Sequence, residues 1–298
     1  MIDQATRLRE LAAAYRSQAV RSPEPHRRTR AIAVTSGKGG VGKTNISINV
    51  AHALMTAGKD VLLMDADLGL ANADILLGTV PPYHLGHLLR GEREIRELIH
   101  RTPTGLKLIA GGSGVVELAN LPDRQLQRFL TALGQLEGQA DYLIVDTGAG
   151  LSNTVLEFVL AADQVLVVTT PEPTSLADGY ATIKTLAQRL PSVDVKLVVN
   201  QAERLDEADA AAERIVTTAR NFLGLTVEHL GTVPRDPAVW QAVRRQTPFL
   251  LGYPSAPASR AVTAMVQKLL YGKEERPTTQ KPAGFFDRLA GFFGRKAI

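Results

Sequence analysis

Between residues 31 and about 270 the chain alternates two hydrophobic patterns. Short strand-like runs, most of them apolar and several rich in β-branched residues, occur at Ala31–Thr35, Val61–Asp65, Leu106–Ala110, Tyr142–Asp146, Val165–Thr170, Val195–Asn200 and His229–Val233. Such runs are expected of strands buried on both faces. Between them, apolar residues recur every three or four positions, notably over Asp123–Leu136, Ser175–Leu190, Asp209–Leu223 and Ser255–Leu270, which predicts amphipathic helices. Strands alternating with helices imply an α/β domain: three α-β-α layers on a mostly parallel twisted sheet, with ligand at the strands' carboxyl ends.

The two ends differ from this body. Residues 1–20 predict a short helix with Leu8, Leu11 and Tyr15 along one stripe. Residues 21–30, with Pro23, Pro25 and four arginines, read as a flexible basic linker, and residues 271–283 as a second, charged linker. Residues 284–298 place Phe285, Phe286, Leu289, Phe292 and Phe293 at i, i+1, i+4, i+7 and i+8, one face of a helix, with Arg295 and Lys296 at its end. That pattern fits an anionic membrane surface, although docking onto the body is the alternative. Each large apolar side chain gains at most ~1.5–3 kcal/mol on burial, so one such helix binds a bilayer only marginally. Two helices held together gain ~10²-fold in avidity.

Composition narrows the chemistry. The chain has no cysteine, which removes disulfides, thiolate metal sites and iron–sulfur ligation. No apolar run approaches the ~20 residues that span a bilayer, so a cytoplasmic protein with at most reversible peripheral membrane association is expected. The formal charge of +4 is unevenly placed. Residues 1–30 carry seven basic and three acidic groups, residues 271–298 six and three, and the body 21 and 24. A slightly acidic body argues against a duplex-binding face and for arms that meet something acidic.

The candidate site begins after the first strand. Gly37-Lys38-Gly39-Gly40-Val41-Gly42-Lys43-Thr44 is a phosphate-binding loop, followed by Ile46, Val50, Ala53 and Leu54 at helical spacing. In such a loop the backbone N–H groups face a β-phosphate, Lys43 reaches the β/γ oxygens and the Thr44 hydroxyl is left for Mg²⁺. Lys38 lies too early to duplicate Lys43 and is free to reach a nucleotide held by a second copy of the chain. Asp65-Ala66-Asp67 ends the second strand with both carboxylates on one side. Asp65 suits a structural or outer-shell magnesium role, and Asp67 suits orienting an attacking water. Asp146 ends another apolar strand, as a Mg²⁺-facing carboxylate requires, and Thr147-Gly148-Ala149-Gly150 follows as a flexible stretch. Asn200 and the segment Pro234-Arg235-Asp236 end later strands and could frame a purine, or be ordinary strand-to-loop polar residues.

Together these residues resemble the MinD/ParA-type deviant Walker ATPases over 31–270: the Lys38–Thr44 loop, Asp65-Ala66-Asp67 with Gly69 and Asn72, and Asp146–Gly150 fall in that family's order. The resemblance implies a slow regulatory ATPase using ATP and Mg²⁺, in which two chains form an ATP-sandwich homodimer. In it Lys38 crosses the interface, Asp67 positions the water, and Asn200 and the backbone around Pro234–Asp236 contact adenine. Asp67–Asp74 and Glu172-Pro173-Thr174-Ser175 with Asp178 and Tyr180 look most like the flagellar-number regulators FlhG/FleN within that family.

Asp3-Gln4-Ala5-Thr6-Arg7-Leu8-Arg9 is similar to the activator element of those regulators. This implies that Asp3, Gln4, Leu8 and Arg9 stimulate a signal-recognition-type flagellar GTPase, with a flagellar transcription activator and basal-body switch proteins as further partners. Gly148 departs from the Ala or Pro of many relatives, which would loosen the second switch. A positioning ATPase for DNA segregation or cell division, and a nucleotide-gated module that sequesters a transcription activator, are the alternative readings.

Overall fold

The computed structural model describes residues 28–67, 71–112, 122–272 and 283–294. The activator-like residues Asp3, Gln4, Leu8 and Arg9 and most of the second linker lie outside the described residues. Eight strands form one sheet: β1 (Arg30–Ser36), β2 (Val61–Ala66), β3 (His100–Arg101), β4 (Lys107–Ile109), β5 (Tyr142–Ala149), β6 (Gln164–Thr169), β7 (Val195–Ala202) and β8 (Glu228–Pro234). Their spatial order is β3-β4-β2-β5-β1-β6-β7-β8, parallel throughout except for the β3–β4 edge pair. The helices are α1 (Lys43–Thr56), α2 (Ala73–Leu76), α3 (Leu85–Leu89), α4 (Asp123–Gly134), α5 (Asn153–Ala161), α6 (Pro173–Arg189), α7 (Leu205–Leu223), α8 (Pro237–Arg244), α9 (Phe249–Gly252), α10 (Pro257–Tyr271) and α11 (Phe285–Gly294).

The strands alternate between two cores. Ala31 and Ala33 of β1 join the apolar side chains of α4, α5, α6, α7 and α11 on one face of the sheet. Ile32 and Val34 join those of α1, α9 and α10 on the other. Both faces are covered, which is why the central strands β1, β2, β5 and β6 read as nearly continuous apolar runs instead of alternating. Strand β5 continues through Ala149, so Thr147 and Gly148, expected to be a flexible stretch after the strand, are part of it. The Thr147 hydroxyl donates to the Val34 carbonyl across the β1–β5 pair at 3.0 Å.

Helix α11 forms where the C-terminal pattern predicted a helix, but its apolar face is occupied. Phe285 and Leu289 are fully buried, and Phe286 and Phe293 nearly so, against α5 and α4. The Phe293 ring meets Phe158 of α5 edge-on, with centroids 6.3 Å apart. Arg288 locks the helix in place: its Nε donates to the Ala161 carbonyl at 2.8 Å and its Nη2 to Asp163 at 2.7 Å. Of the two roles open to this segment, the structure holds the docked one, and a bilayer could reach these phenylalanines only after the helix leaves α5. The docking also explains α5, whose residues Thr154–Ala161 are all buried. A helix covered on both sides has no polar stripe and gives no amphipathic signal.

Candidate functional site

The loop between β1 and α1 is built to receive an anion. Gly40 and Gly42 have φ of 79° and 91°, a left-handed backbone that only glycine adopts at little cost. Gly42 is the N-cap of α1 with no side-chain cap hydrogen bond, so the helix's first N–H groups keep their capacity for a ligand. Gly37 is required for a different reason: a Cβ there would strike the Asp178 carbonyl of α6. Lys43 is buried within the first turn of α1, beneath the loop.

Two carboxylates stand behind this loop. Asp65 of β2 and Asp146 of β5 are register partners on neighbouring strands and are almost completely buried. Asp65 is fully engaged: Oδ1 accepts from the Asp67 N–H at 3.0 Å, and Oδ2 from the N–H groups of Asn72 and Ala73, each at 3.1 Å. These bonds organise the segment that carries Asp67. Asp146 Oδ1 accepts from the Ser47 hydroxyl at 2.7 Å, with the Thr44 side chain close by. Its Oδ2 is buried without a hydrogen-bond partner. Burial raises the pKa of both groups; the nearby Asp146 charge adds to it at Asp65, while Thr44, Ser47 and Lys43 oppose it at Asp146. An unsatisfied carboxylate oxygen beside the Thr44 hydroxyl fits a hard cation with oxygen ligands. Asp67 lies beside Gly148 of β5, its Oδ1 only 3.3 Å from where a Cβ on Gly148 would stand.

Lys38 does not join its own loop's lysine. Its ammonium is 3.0 Å from Glu172 and 3.4 Å from the Thr174 hydroxyl, at the start of α6. Both partners of the ion pair are substantially exposed.

A cavity of about 660 Å³ adjoins the loop, with Gly42, Asn45, Asn200, Arg235 and Asp236 in its wall. The structure thus brings Asn200 and the Pro234–Asp236 segment together beside the phosphate loop. Several of their side chains are already committed. Asn200 Nδ2 donates to the Val41 carbonyl at 2.8 Å, bracing the loop. Asp236 accepts from Ala238 N–H at 2.9 Å and Ala258 N–H at 3.1 Å, capping α8 and α10. Arg235 pairs with Glu203 at 2.6 Å. Sequence reasoning named Glu172 without its partner Lys38, and missed two contributors: Ser47, which is one turn beyond the loop and bonds Asp146, and Trp240, an exposed aromatic in the cavity wall. The one available signal was that Trp240 is the chain's single tryptophan.

An uncapped glycine loop between strand and helix, a buried lysine and paired strand-end carboxylates define a P-loop NTPase of the three-layer α-β-α type. A family model described as ParA, NUBPL iron-transfer P-loop NTPase, matches residues 27–270. The chain is 36% identical over 256 residues to the antiactivator FleN of Pseudomonas aeruginosa, covering 86% of this chain and 90% of that protein. It is 35% identical over 272 residues to the flagellum site-determining protein YlxH of Helicobacter pylori, covering 89% and 91%. The MinC:MinD cell division complex of Aquifex aeolicus contains a similar fold, with a TM-score of 0.66 and 26% identity over 85% of this chain and 99% of that one. The chain belongs to the ParA/MinD family of P-loop ATPases. The iron transfer in the family description has no thiolate to rest on here, because the chain lacks cysteine.

Proposed function

We propose that this protein is a slow, dimerising Mg-ATPase that regulates flagellar number or placement. The observation that carries the reading is the position of Lys38: its ammonium rests on Glu172 outside its own phosphate site, while Lys43 alone sits under the loop. A second lysine held at the surface beside the nucleotide site is suited to complete the site of a second chain. In that dimer Lys43 and the loop N–H groups hold the β- and γ-phosphates, Lys38 neutralises charge in trans, and Asp67 orients the attacking water. Thr44 and Asp146, the latter through water, would hold Mg²⁺, which would neutralise phosphate charge. Asn200 and the Pro234–Asp236 backbone would hold adenine.

The flagellar assignment rests on the resemblance to FleN and YlxH across most of their length. Its partners would be a signal-recognition-type flagellar GTPase, stimulated through Gln4 and its neighbours, a transcription activator and basal-body components. Membrane residence would require α11 to undock, so the bilayer competes with α5 for Phe285, Phe286, Leu289 and Phe293, with Phe292 at the edge of the same face. Dimerisation favours the bilayer by presenting two helices at once.

Light scattering on the wild type and on Lys38→Ala with Mg-ATP tests the core of this reading. The wild type is expected to shift to twice its monomer mass and the variant to remain single. A wild type that stays monomeric at high concentration with ATP, in solution and on anionic vesicles, overturns it.

A further inference from the structure

We infer that Trp240 is the platform on which the base of the bound nucleotide stacks, with Arg244 holding the ring in readiness. This rests on the nucleotide-site reading above and adds the residue that grips the base. Trp240 is 62% exposed on α8, yet it lines the cavity beside Gly42 and Asn200. An indole left open to water at the edge of a phosphate-binding loop needs a reason, since its large apolar surface gains nothing there until something covers it. One side of the ring has a partner: the Arg244 guanidinium lies 4.7 Å from an indole ring centroid. That cation–π contact restrains the side chain before any ligand arrives. The ring's place in the cavity wall, beside Val239 and Val243, suits a flat aromatic ligand.

The polar group beside the ring suits a base edge. Asn200 gives one Nδ2 hydrogen to the Val41 carbonyl, which leaves its second N–H to donate and its amide oxygen to accept. A donor and an acceptor together at this point suit the polar edge of a nucleobase. With the nucleotide-site reading above, the ligand is an adenine nucleotide, its phosphates on the loop and its base on Trp240.

The chain's single tryptophan makes the test direct. The probes are Mg-ADP and Mg-tripolyphosphate, with ADP chosen over ATP so that pairing of two chains does not contribute to the signal. Saturable quenching of the wild-type emission by ADP, and much less by tripolyphosphate, is expected. By calorimetry Trp240→Ala should bind ADP about 10-fold more weakly, the scale of one base–aromatic stack, and tripolyphosphate unchanged. Trp240→Phe should keep most of the affinity. Arg244→Ala should cost a few-fold alone and nothing further in the Trp240→Ala background, because it acts through the ring. If ADP binds tightly, the emission does not move and Trp240→Ala binds as well as the wild type, the platform is refuted while the ATPase reading stands. If the wild type binds neither probe, the nucleotide-site reading fails and the platform with it.

Discussion

Asp65 and Asp146 are neighbours across the β2–β5 ladder, and they are used in opposite ways. Asp65 spends both oxygens on backbone N–H groups. Asp146 keeps one oxygen bare inside the protein. Their variants should therefore separate. Asp65→Ala leaves three N–H groups without their acceptor and should cost about 2–3 kcal/mol or more in urea unfolding. Asp146→Asn removes a buried charge whose desolvation outweighs what Ser47, Thr44 and Lys43 return, so stability should be unchanged or higher, while Mg-dependent ATP hydrolysis is lost. Equal stability losses in the two variants would contradict this division.

His52 gives the fold a pH dependence with a known sign. Its ring is buried in α1, with Nε2 3.2 Å from the Thr104 hydroxyl, and burial lowers its pKa from 6.5 to about 4. The unfolded chain therefore binds a proton between pH 6.5 and 4 that the folded one refuses. This contribution is complete above pH 6.5 and is lost as pH falls toward 4. A shift of that size amounts to about 3 kcal/mol. Other buried groups titrate in the same range, so the readout is the difference between wild type and His52→Gln. Urea midpoints should fall less steeply with acid in the variant, and parallel pH profiles would refute the assignment.

Gly148 gives Asp67 its room. A methyl group there would stand 3.3 Å from Asp67 Oδ1, closer than most such contacts, so the carboxylate must give way. Gly148→Ala should lower ATP turnover several-fold, because a displaced carboxylate orients water poorly. ADP affinity should stay within about two-fold, since phosphate binding belongs to the loop on β1 and α1. Loss of affinity instead of turnover would place the contact in binding.

Asp163 should set how readily α11 leaves the body. It accepts from Arg288 of that helix, from Arg28 and from the Ala31 N–H. Asp163→Asn weakens the latch without altering the apolar face that a bilayer would meet. Hydrogen exchange at 285–294 should accelerate, and sedimentation with anionic vesicles should rise several-fold. If exchange accelerates but vesicle binding does not change, the helix is a structural strap and its membrane role is wrong.

Much of the site is written locally. The loop from Gly37 to Thr44, the apolar strands before Asp65 and Asp146, and Asn200 at the end of β7 can each be found from their immediate neighbours. Glycine spacing and β-branched runs act within a few residues of themselves. Edge strand β3, with two residues, and α3, with five, were too short to show any period. Helix α5 showed none because α11 covers its outer side.

Chain order and local pattern were therefore sufficient for the α/β architecture, the phosphate loop and the amphipathic character of 285–294. Partnership required the folded chain. Lys38 meets a carboxylate 134 residues away, Asn200 braces a carbonyl 159 residues away, and Arg288 reaches back 125 residues to Asp163. A periodic stripe says that a face wants an apolar neighbour but not which one, because burial rewards contact area whatever its source. Only closure of the sheet, which brings α5 beside the last helix and α8 beside the loop, selects the partner.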